Sequence, residues 1–384
     1  MREGNGVTMD SRPLSASPVR VANAGVGETL ADALRRRRRR TAFVFGLLML
    51  VVVAASVLSL GLGAVPISPG RTLAALWTGV TGLPGDADAV RDSLVILNIR
   101  LPRTLLGLMV GASLAVCGAL MQGLFRNPLA DPGLVGVSSG AALAAATVIV
   151  LGEHLLPYLP FAVLPFAALP IAAFFGGLLF TSVLYGLSSG SGRTSVATLL
   201  LAGVALGAMA GAVTGLLTFL SNDQQLRDLT FWSLGSLGGA TWTKVTTILP
   251  AFIPLAIALS FLGRSLNALS LGEAEAFHLG LPVERIKRIV IVVVALAVGA
   301  AVASAGVIGF VGIVVPHLLR LAIGANHKVL LPASALLGAA LLLGSDILAR
   351  LIVAPAELPI GILTAAIGAP FFLWLLLARR KMVT

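Results

Sequence analysis

Long uncharged stretches alternate along the chain with short polar junctions. From Thr41 to Ala64 run 24 consecutive uncharged residues, and further apolar segments cover about 101–124, 134–152, 163–187, 194–220, 243–262, 289–305, 306–323, 329–349 and 359–378. A helix needs about 20 apolar residues to cross the hydrocarbon core of a bilayer. The pattern therefore predicts an all-α integral membrane protein with about ten transmembrane helices. Gly306, Gly309, Gly312 and Pro316 interrupt the region 289–323, which predicts a short or re-entrant helix near 306–323. Residues 65–100 hold Pro66, Pro69, Pro84 and three aspartates. They read as an external loop with one short amphipathic piece near Leu73–Trp77. Residues 1–34 carry no apolar period and read as a disordered tail. With the arginine run Arg35–Arg40 they make a basic segment, 1–40, ahead of a membrane domain, 41–380.

Composition narrows the class. The chain is 57% hydrophobic and 11% charged, against about 25% charged residues in a soluble domain, so soluble enzymes and disordered chains are excluded. The formal charge is nevertheless +11, from 27 Lys and Arg against 16 Asp and Glu. In a soluble protein that excess would suggest nucleic acid. Here it follows the rule that basic residues mark the cytoplasmic ends of spans, so no nucleic-acid partner is expected. Arg35–Arg40, Arg126, Arg193, the stretch Arg264–Arg288, Arg320–Lys328 and Arg379-Arg380-Lys381 fall at alternate junctions. The opposite side carries fewer: Arg71, Arg91, Arg100, Arg103, Arg227, Lys244 and Arg350. The asymmetry predicts a multi-pass protein of the cytoplasmic membrane with both termini inside. Cys117 stands alone in an apolar run, which leaves no disulfide framework or thiolate metal site.

Glycine spacing predicts one packing face. Gly203, Gly207, Gly211 and Gly215 recur every four residues. Lipid supplies no hydrophobic drive between helices, so close backbone approach has to hold them together, and this helix is expected inside the bundle. Gly107 and Gly111 repeat the spacing in the second span.

Two catalytic lookalikes carry no chemistry. Gly136-Val137-Ser138-Ser139-Gly140 fits a nucleophile elbow, but it opens a small-residue apolar helix where the elbow needs a strand, a turn and a helix. The stretch Gly186–Thr194 resembles a phosphate-binding loop with one residue too many and Arg for Lys. His154, His278, His317 and His327 show no ligand spacing, so no metal site and no catalytic residue is expected.

Polar groups at helix ends remain. Arg100-Leu101-Pro102-Arg103 opens the second span from outside, and Arg350 lies on the same side, ahead of Ala354-Pro355-Ala356-Glu357-Leu358-Pro359. Three exposed guanidinium groups would suit carboxylates of a docking partner, with lipid headgroup anchoring as the plainer reading. On the opposite face Asn127–Gly133 (NPLADPG) is a rigid non-helical turn. The largest cytoplasmic loop, about 263–288, contains Leu271–Gly280 (LGEAEAFHLG), a short acidic helix closed by Gly280 and available to a cytosolic partner.

Four ordered segments carry a resemblance. RLPRTLLGLMVGASLAVCGALMQGLFRNPLADPGLVGVSSGA (100–141), LGEAEAFHLGLP (271–282), GVIGFVGIVVPHLLRL (306–321) and ELPIGILTAAIGAPFFLWLL (357–376) resemble the permeases of binding-protein-dependent ABC importers for ferric siderophores, haem and vitamin B12. The resemblance covers roughly 43–380, and the basic tail has no counterpart in it. It implies ten transmembrane helices per subunit and a dimeric permease, homomeric or with a sibling. An ATP-binding subunit dimer would dock below and an extracytoplasmic substrate-binding protein above. It implies that Arg100, Arg103 and Arg350 meet glutamates of the binding protein. It also implies that Glu273, Ala274, Glu275, Ala276, Phe277, His278, Leu279 and Gly280 form the contact with the ATPase. No cofactor is expected on this chain, ATP and magnesium belonging to the partner ATPase. The expected substrate is an Fe(III)–siderophore complex, with cobalamin or haem as the alternative. An ion-coupled secondary transporter is the rival from another class, although Asp346 is the nearest thing to a mid-span ionisable group.

Arg100-x-x-Arg103 opens one span from outside and Arg285-x-x-Arg288 opens another from inside. Each is followed by a Gly/Ala-rich helix and a Pro-containing polar end (Asn127-Pro128, Pro316-His317). This predicts two inverted halves, spans two to five and seven to ten.

Overall fold

The computed structural model describes residues 23–63, 67–81, 87–155, 165–190 and 193–380. Its helices are α1 (Asn23–Gly61), α2 (Pro69–Thr81), α3 (Ala87–Val95), α4 (Leu101–Leu124), α5 (Val137–Leu155), α6 (Pro165–Ser188), α7 (Val196–Leu220), α8 (Asp223–Leu234), α9 (Trp242–Leu269), α10 (Glu273–His278), α11 (Val283–Ala305), α12 (Val311–Ile323), α13 (His327–Ile352) and α14 (Ile360–Arg380). Eight helical stretches among the described residues are long and apolar enough to cross a membrane, and α12 and α14 are shorter apolar helices beside them. The all-α membrane architecture with about ten apolar helices is as the hydrophobic pattern predicts.

Two local readings change and a third is sharpened. Residues 1–22 of the expected disordered tail lie outside the described residues. From Asn23 onward the chain is helical, and Arg35–Arg40 continue without a break into the first span. The basic segment and that span are one helix. The segment expected as an external loop is helical over most of its described residues, 67–81 and 87–100, while Pro66 and Pro84 lie outside them. Pro69 opens α2, where a missing N–H costs nothing, and α3 runs through a π-helical turn, Ile96–Arg100, into α4. The break in 289–323 falls at Gly306–Phe310, where Gly306 and Phe310 take positive φ. The following α12 has 13 residues, about 20 Å at 1.5 Å per residue, and is the expected short helix.

The centre of the bundle is α4 and α11, whose apolar stretches are 83% and 78% buried, against 11% for α7. Backbone contact makes this centre. Gly118 on α4 lies against the Gly312 carbonyl of α12, Gly111 against that of Gly338 on α13, and on α5 and α6 Gly140 lies against Gly176. Pro316 cannot donate to the Gly312 carbonyl, four residues back in α12. Gln122 of α4 supplies that hydrogen bond through Nε2 at 3.3 Å. Neighbour relations repeat between the halves. The pairs α4–α13, α4–α12, α5–α6, α5–α7 and α6–α7 are matched by α11–α6, α11–α5, α12–α13, α12–α14 and α13–α14. This reciprocity is what two inverted four-helix halves require.

The glycine seam of α7 does not lie inside this chain's bundle. Gly203 and Gly207 are half-buried, while Gly211 and Gly215 are exposed, with open space where a side chain would start. The reason is geometric. A step of four residues turns about 40° past a full revolution, so the row winds around the helix. The buried face of α7 instead carries Leu199, Ala210 and Leu217.

These contacts predict opposite responses to one methyl group. Gly118→Ala has to displace the α12 backbone and should cost about 1–3 kcal/mol, seen as a lower unfolding temperature of the detergent-solubilised protein. Gly211→Ala meets nothing and should stay within about 0.5 kcal/mol of the parent. Equal losses would contradict this packing.

Candidate functional site

The site residues expected from the sequence lie in two clusters, one at each end of the bundle. At the end reached by the N-terminus of α4, the C-terminal turn of α1 leaves carbonyls without helical donors. Arg100 donates from Nη1 to the Leu60 and Gly61 carbonyls at 2.7 and 2.8 Å. Arg350 donates to the Leu62 carbonyl at 2.9 Å and to the Ser59 hydroxyl at 3.1 Å. Two guanidinium groups, from the π-helical turn before α4 and from α13, therefore cap α1, with positive charge at the negative end of its dipole.

Arg103 faces the other way. It grips Asp346 through Nε and Nη2, at 3.0 and 2.8 Å to Oδ1, and holds Glu357 with Nη1 at 2.7 Å. Asp346 also pairs with Arg350, one turn further along α13, at 3.1 Å. Thr104 and Ser59 share a hydroxyl hydrogen bond of 2.9 Å behind this network.

The sequence expectation of three exposed guanidinium groups is thus corrected. Arg100, Arg103 and Arg350 are 5%, 6% and 8% exposed, and Asp346 is fully buried. A buried guanidinium needs its donors satisfied and its charge matched, and these residues are satisfied inside the chain. Glu357, its side chain 42% exposed, is the open edge of the cluster. Asp346 also ceases to resemble a proton carrier, because both of its oxygens are held in ion pairs. Sequence reasoning missed Asp346 and Glu357 as partners. The four-residue spacing of Asp346 and Arg350 on one helix was the available signal, whereas nothing in the sequence pairs Arg103 with residues more than 240 positions away.

At the opposite end α10 is held up from below. Buried Lys287 donates to Glu273 at 2.8 Å, to Glu284 at 3.1 Å and to the Thr194 carbonyl at 3.2 Å. The Thr194 N–H in turn donates to Glu284 at 3.0 Å. Gly272 and Gly280, both at positive φ, turn the chain into and out of α10. Within 273–280, Ala276 faces inward and Glu273 is half-buried on its lysine. Phe277 and Leu279 are exposed, as is Leu271 before the helix. Ala274, Glu275, His278 and Gly280 are exposed as well. The face turned away from the bundle is therefore apolar and acidic. Nearby, the Asn127–Gly133 turn is built as its sequence implies. The Asp131 carboxylate accepts from the Gly133 N–H at 2.8 Å, and burial raises its pKa against that hydrogen bond.

The catalytic lookalikes dissolve in the same frame. Gly136 follows a 3-10 turn, Pro132–Val135, and leads directly into α5 without a preceding strand. Thr194 ends a two-residue antiparallel pairing, Ser189–Gly190 with Arg193–Thr194; residues 191–192 lie outside the described residues. Among the described residues no group of His, Cys, Asp and Glu could hold a metal ion.

An arginine network closes one end of the bundle, and a propped acidic helix stands at the other. The sequence profile of the FecCD transport family matches residues 49–378. The chain belongs to the FecCD transport family. The hemin transport system permease protein of Yersinia pestis is 50% identical over 285 residues, 74% of this chain and 84% of that one. The vitamin B12 import system permease protein of Klebsiella pneumoniae is 43% identical over 297 residues, 77% of this chain and 86% of that one. Among solved structures, a metal-chelate type ABC transporter in an inward-facing conformation superposes with a TM-score of 0.73. It is 35% identical and covers 86% of this chain and 97% of its own. The protein is thus an ABC importer permease, a multi-pass transport component of a family that works with an ATPase and a substrate-binding protein. The basic start of α1 lies outside the matched residues.

The arginine cluster predicts an asymmetric cost. Arg103→Ala leaves buried Asp346 short of a partner and should destabilise the solubilised protein by up to about 3–5 kcal/mol. Arg103→Lys should not restore it, because an ammonium cannot span two carboxylates as the guanidinium fork does. Glu357→Gln, at the half-exposed rim, should cost under about 1 kcal/mol. Thermal unfolding in one detergent checks all three, and a mild Arg103→Ala would contradict the assignment.

Proposed function

We propose that two copies of this chain, or one copy with a sibling, form the membrane pathway of an ATP-driven importer of a metal chelate in the cytoplasmic membrane. Haem is the preferred cargo, and cobalamin follows. The observation that carries this order is the 50% identity to a hemin permease over most of both chains. The Fe(III)–siderophore expected from the sequence ranks behind them, since neither curated relative described above carries that name.

The N- and C-termini face the cytosol, in keeping with the basic residues at the Arg35–Arg40 end. ATP and magnesium stay on the partner subunit, and this chain performs no catalysis. Closure of the ATPase dimer acts through α10. Its outward residues Glu275, Phe277 and Leu279 enter the partner, while Glu273 and Lys287 transmit the load to α11. Such coupling is mechanical. Exposed apolar and acidic groups give a six-residue helix a place to bind, and the buried lysine gives it a rigid base.

Docking of the binding protein at the other end proceeds by exchange of carboxylates. Glu357 is the one exposed carboxylate of the arginine cluster, so a glutamate from the partner reaches Arg103 Nη1 by replacing it. Exchange of this kind sets orientation and association rate more than affinity.

Proteoliposomes containing the permease, its ATPase and its binding protein should take up haem on addition of ATP. Uptake that proceeds without ATP and collapses with an ionophore would overturn the reading in favour of a secondary transporter. In the same vesicles Glu275, Phe277 and Leu279 replaced together by Ala should leave ATP hydrolysis but lower uptake by about tenfold. Normal uptake would remove α10 from the coupling path. Glu357→Gln should raise the association rate of the binding protein severalfold at low salt, and a slower rate would refute exchange at Arg103.

A further inference from the structure

The run Arg35–Arg40 falls outside the family match and outside both clusters. Its six residues do not form a uniform cloud of charge. Arg36, Arg37 and Arg40, one and four residues apart, lie on one side of α1. That side meets the end of α12. Arg40 Nη2 reaches the Leu321 carbonyl at 3.5 Å, and Arg37 passes within 3.8 Å of the space beside Gly324. Between the helices is a cleft of about 460 Å³, lined by Arg36, Arg37, Arg40 and Thr41 of α1 and by Arg320 and the last turn of α12. Arg320 is held from behind by the side-chain oxygen of Gln122. Among the described residues no carboxylate lines the cleft. Four guanidinium groups around one concavity repel one another unless an anion sits among them.

The surroundings decide which anion. Three and seven residues beyond Arg40, on the stripe of α1 that carries Arg36 and Arg40, stand Phe43 and Leu47, 72% and 48% exposed. The stripe is cationic at one end and apolar at the other, and the change falls where α1 enters the hydrocarbon. A free phosphate would use only the first half. A phospholipid uses both, with phosphate oxygens on the guanidinium groups and acyl chains along Phe43 and Leu47. Basic clefts between transmembrane helices at the cytoplasmic surface bind anionic headgroups in this manner.

We propose that the cleft between the arginine-bearing turn of α1 and the end of α12 binds an anionic phospholipid, and that a diphosphatidylglycerol carrying two phosphates fits it better than one carrying a single phosphate. Only the assignment to the cytoplasmic leaflet rests on the orientation proposed above.

The test uses the purified full-length permease in detergent, where neither sidedness nor transport enters, and titrates it with tetraoleoyl diphosphatidylglycerol while intact-protein mass spectrometry counts bound lipid. Arg36→Gln with Arg37→Gln should weaken binding about tenfold. Arg38→Gln with Arg39→Gln, which removes the same charge beside the cleft, should change it less than about twofold. Both variants should elute as the parent does in size exclusion, so a loss of fold is seen separately. Dioleoyl phosphatidylcholine should bind at least about tenfold more weakly than diphosphatidylglycerol. Equal weakening by the two pairs would reduce the effect to net charge and overturn the site. Equal retention of phosphatidylcholine would also overturn it. Full displacement of the lipid by millimolar inorganic phosphate would make this a soluble-anion site and refute the lipid.

Discussion

The direct contact between the backbone of α4 and those of α12 and α13 is the constraint on which the other features depend. At Gly118 and Gly111 the helices approach so closely that a single methyl group would enter a neighbouring carbonyl. In lipid no hydrophobic force between helices could replace that contact. The approach fixes where α12 can begin, and it places Gln122 within reach of the carbonyl that Pro316 leaves without a donor. Because α4 is held at this depth against α13, Arg103 at its head meets Asp346 and Arg350. A shift of one turn along either helix, about 5.4 Å, would separate charges that are buried and cannot stay unpaired.

The two ends of the bundle handle charge differently. At the head of α4 the charges are inward and mutually satisfied, leaving Glu357 as the accessible carboxylate of the cluster. At the α10 end a single buried lysine draws two carboxylates and a carbonyl together, while Phe277 and Leu279 stay exposed. The arginine-bearing start of α1 belongs to neither cluster.

Much of this was legible in the residues. The apolar segments located most of the spans to within a few positions, falling short where α1, α9 and α11 run on past their apolar stretches. The glycines and Pro316 marked the broken region, and the Leu271–Gly280 segment was readable as a short presented helix closed by Gly280. Reading failed where a periodic pattern had to be given a direction. The four-residue glycine row of α7 identifies a face but cannot say what lies opposite, and the face winds away from this chain's other helices. Charge at a span end was equally ambiguous. Arg100, Arg103 and Arg350 look like an exposed patch because their partners come from distant segments, α1, α13 and the stretch before α14.

The sequence by itself determined that the chain is an all-helical membrane protein, roughly where it crosses, and which family it belongs to. Those properties follow from local composition and from motifs contiguous along the chain. Only the tertiary structure decided that the three arginines are buried, that Glu357 is the exposed edge of their cluster, that Gly211 and Gly215 of α7 are exposed and that the Arg35–Arg40 run is helical and forms one wall of a cleft. The reason is that ion pairing and burial are properties of pairs of segments. A bundle in which inverted halves interleave brings together residues whose separation along the chain carries no trace of their contact.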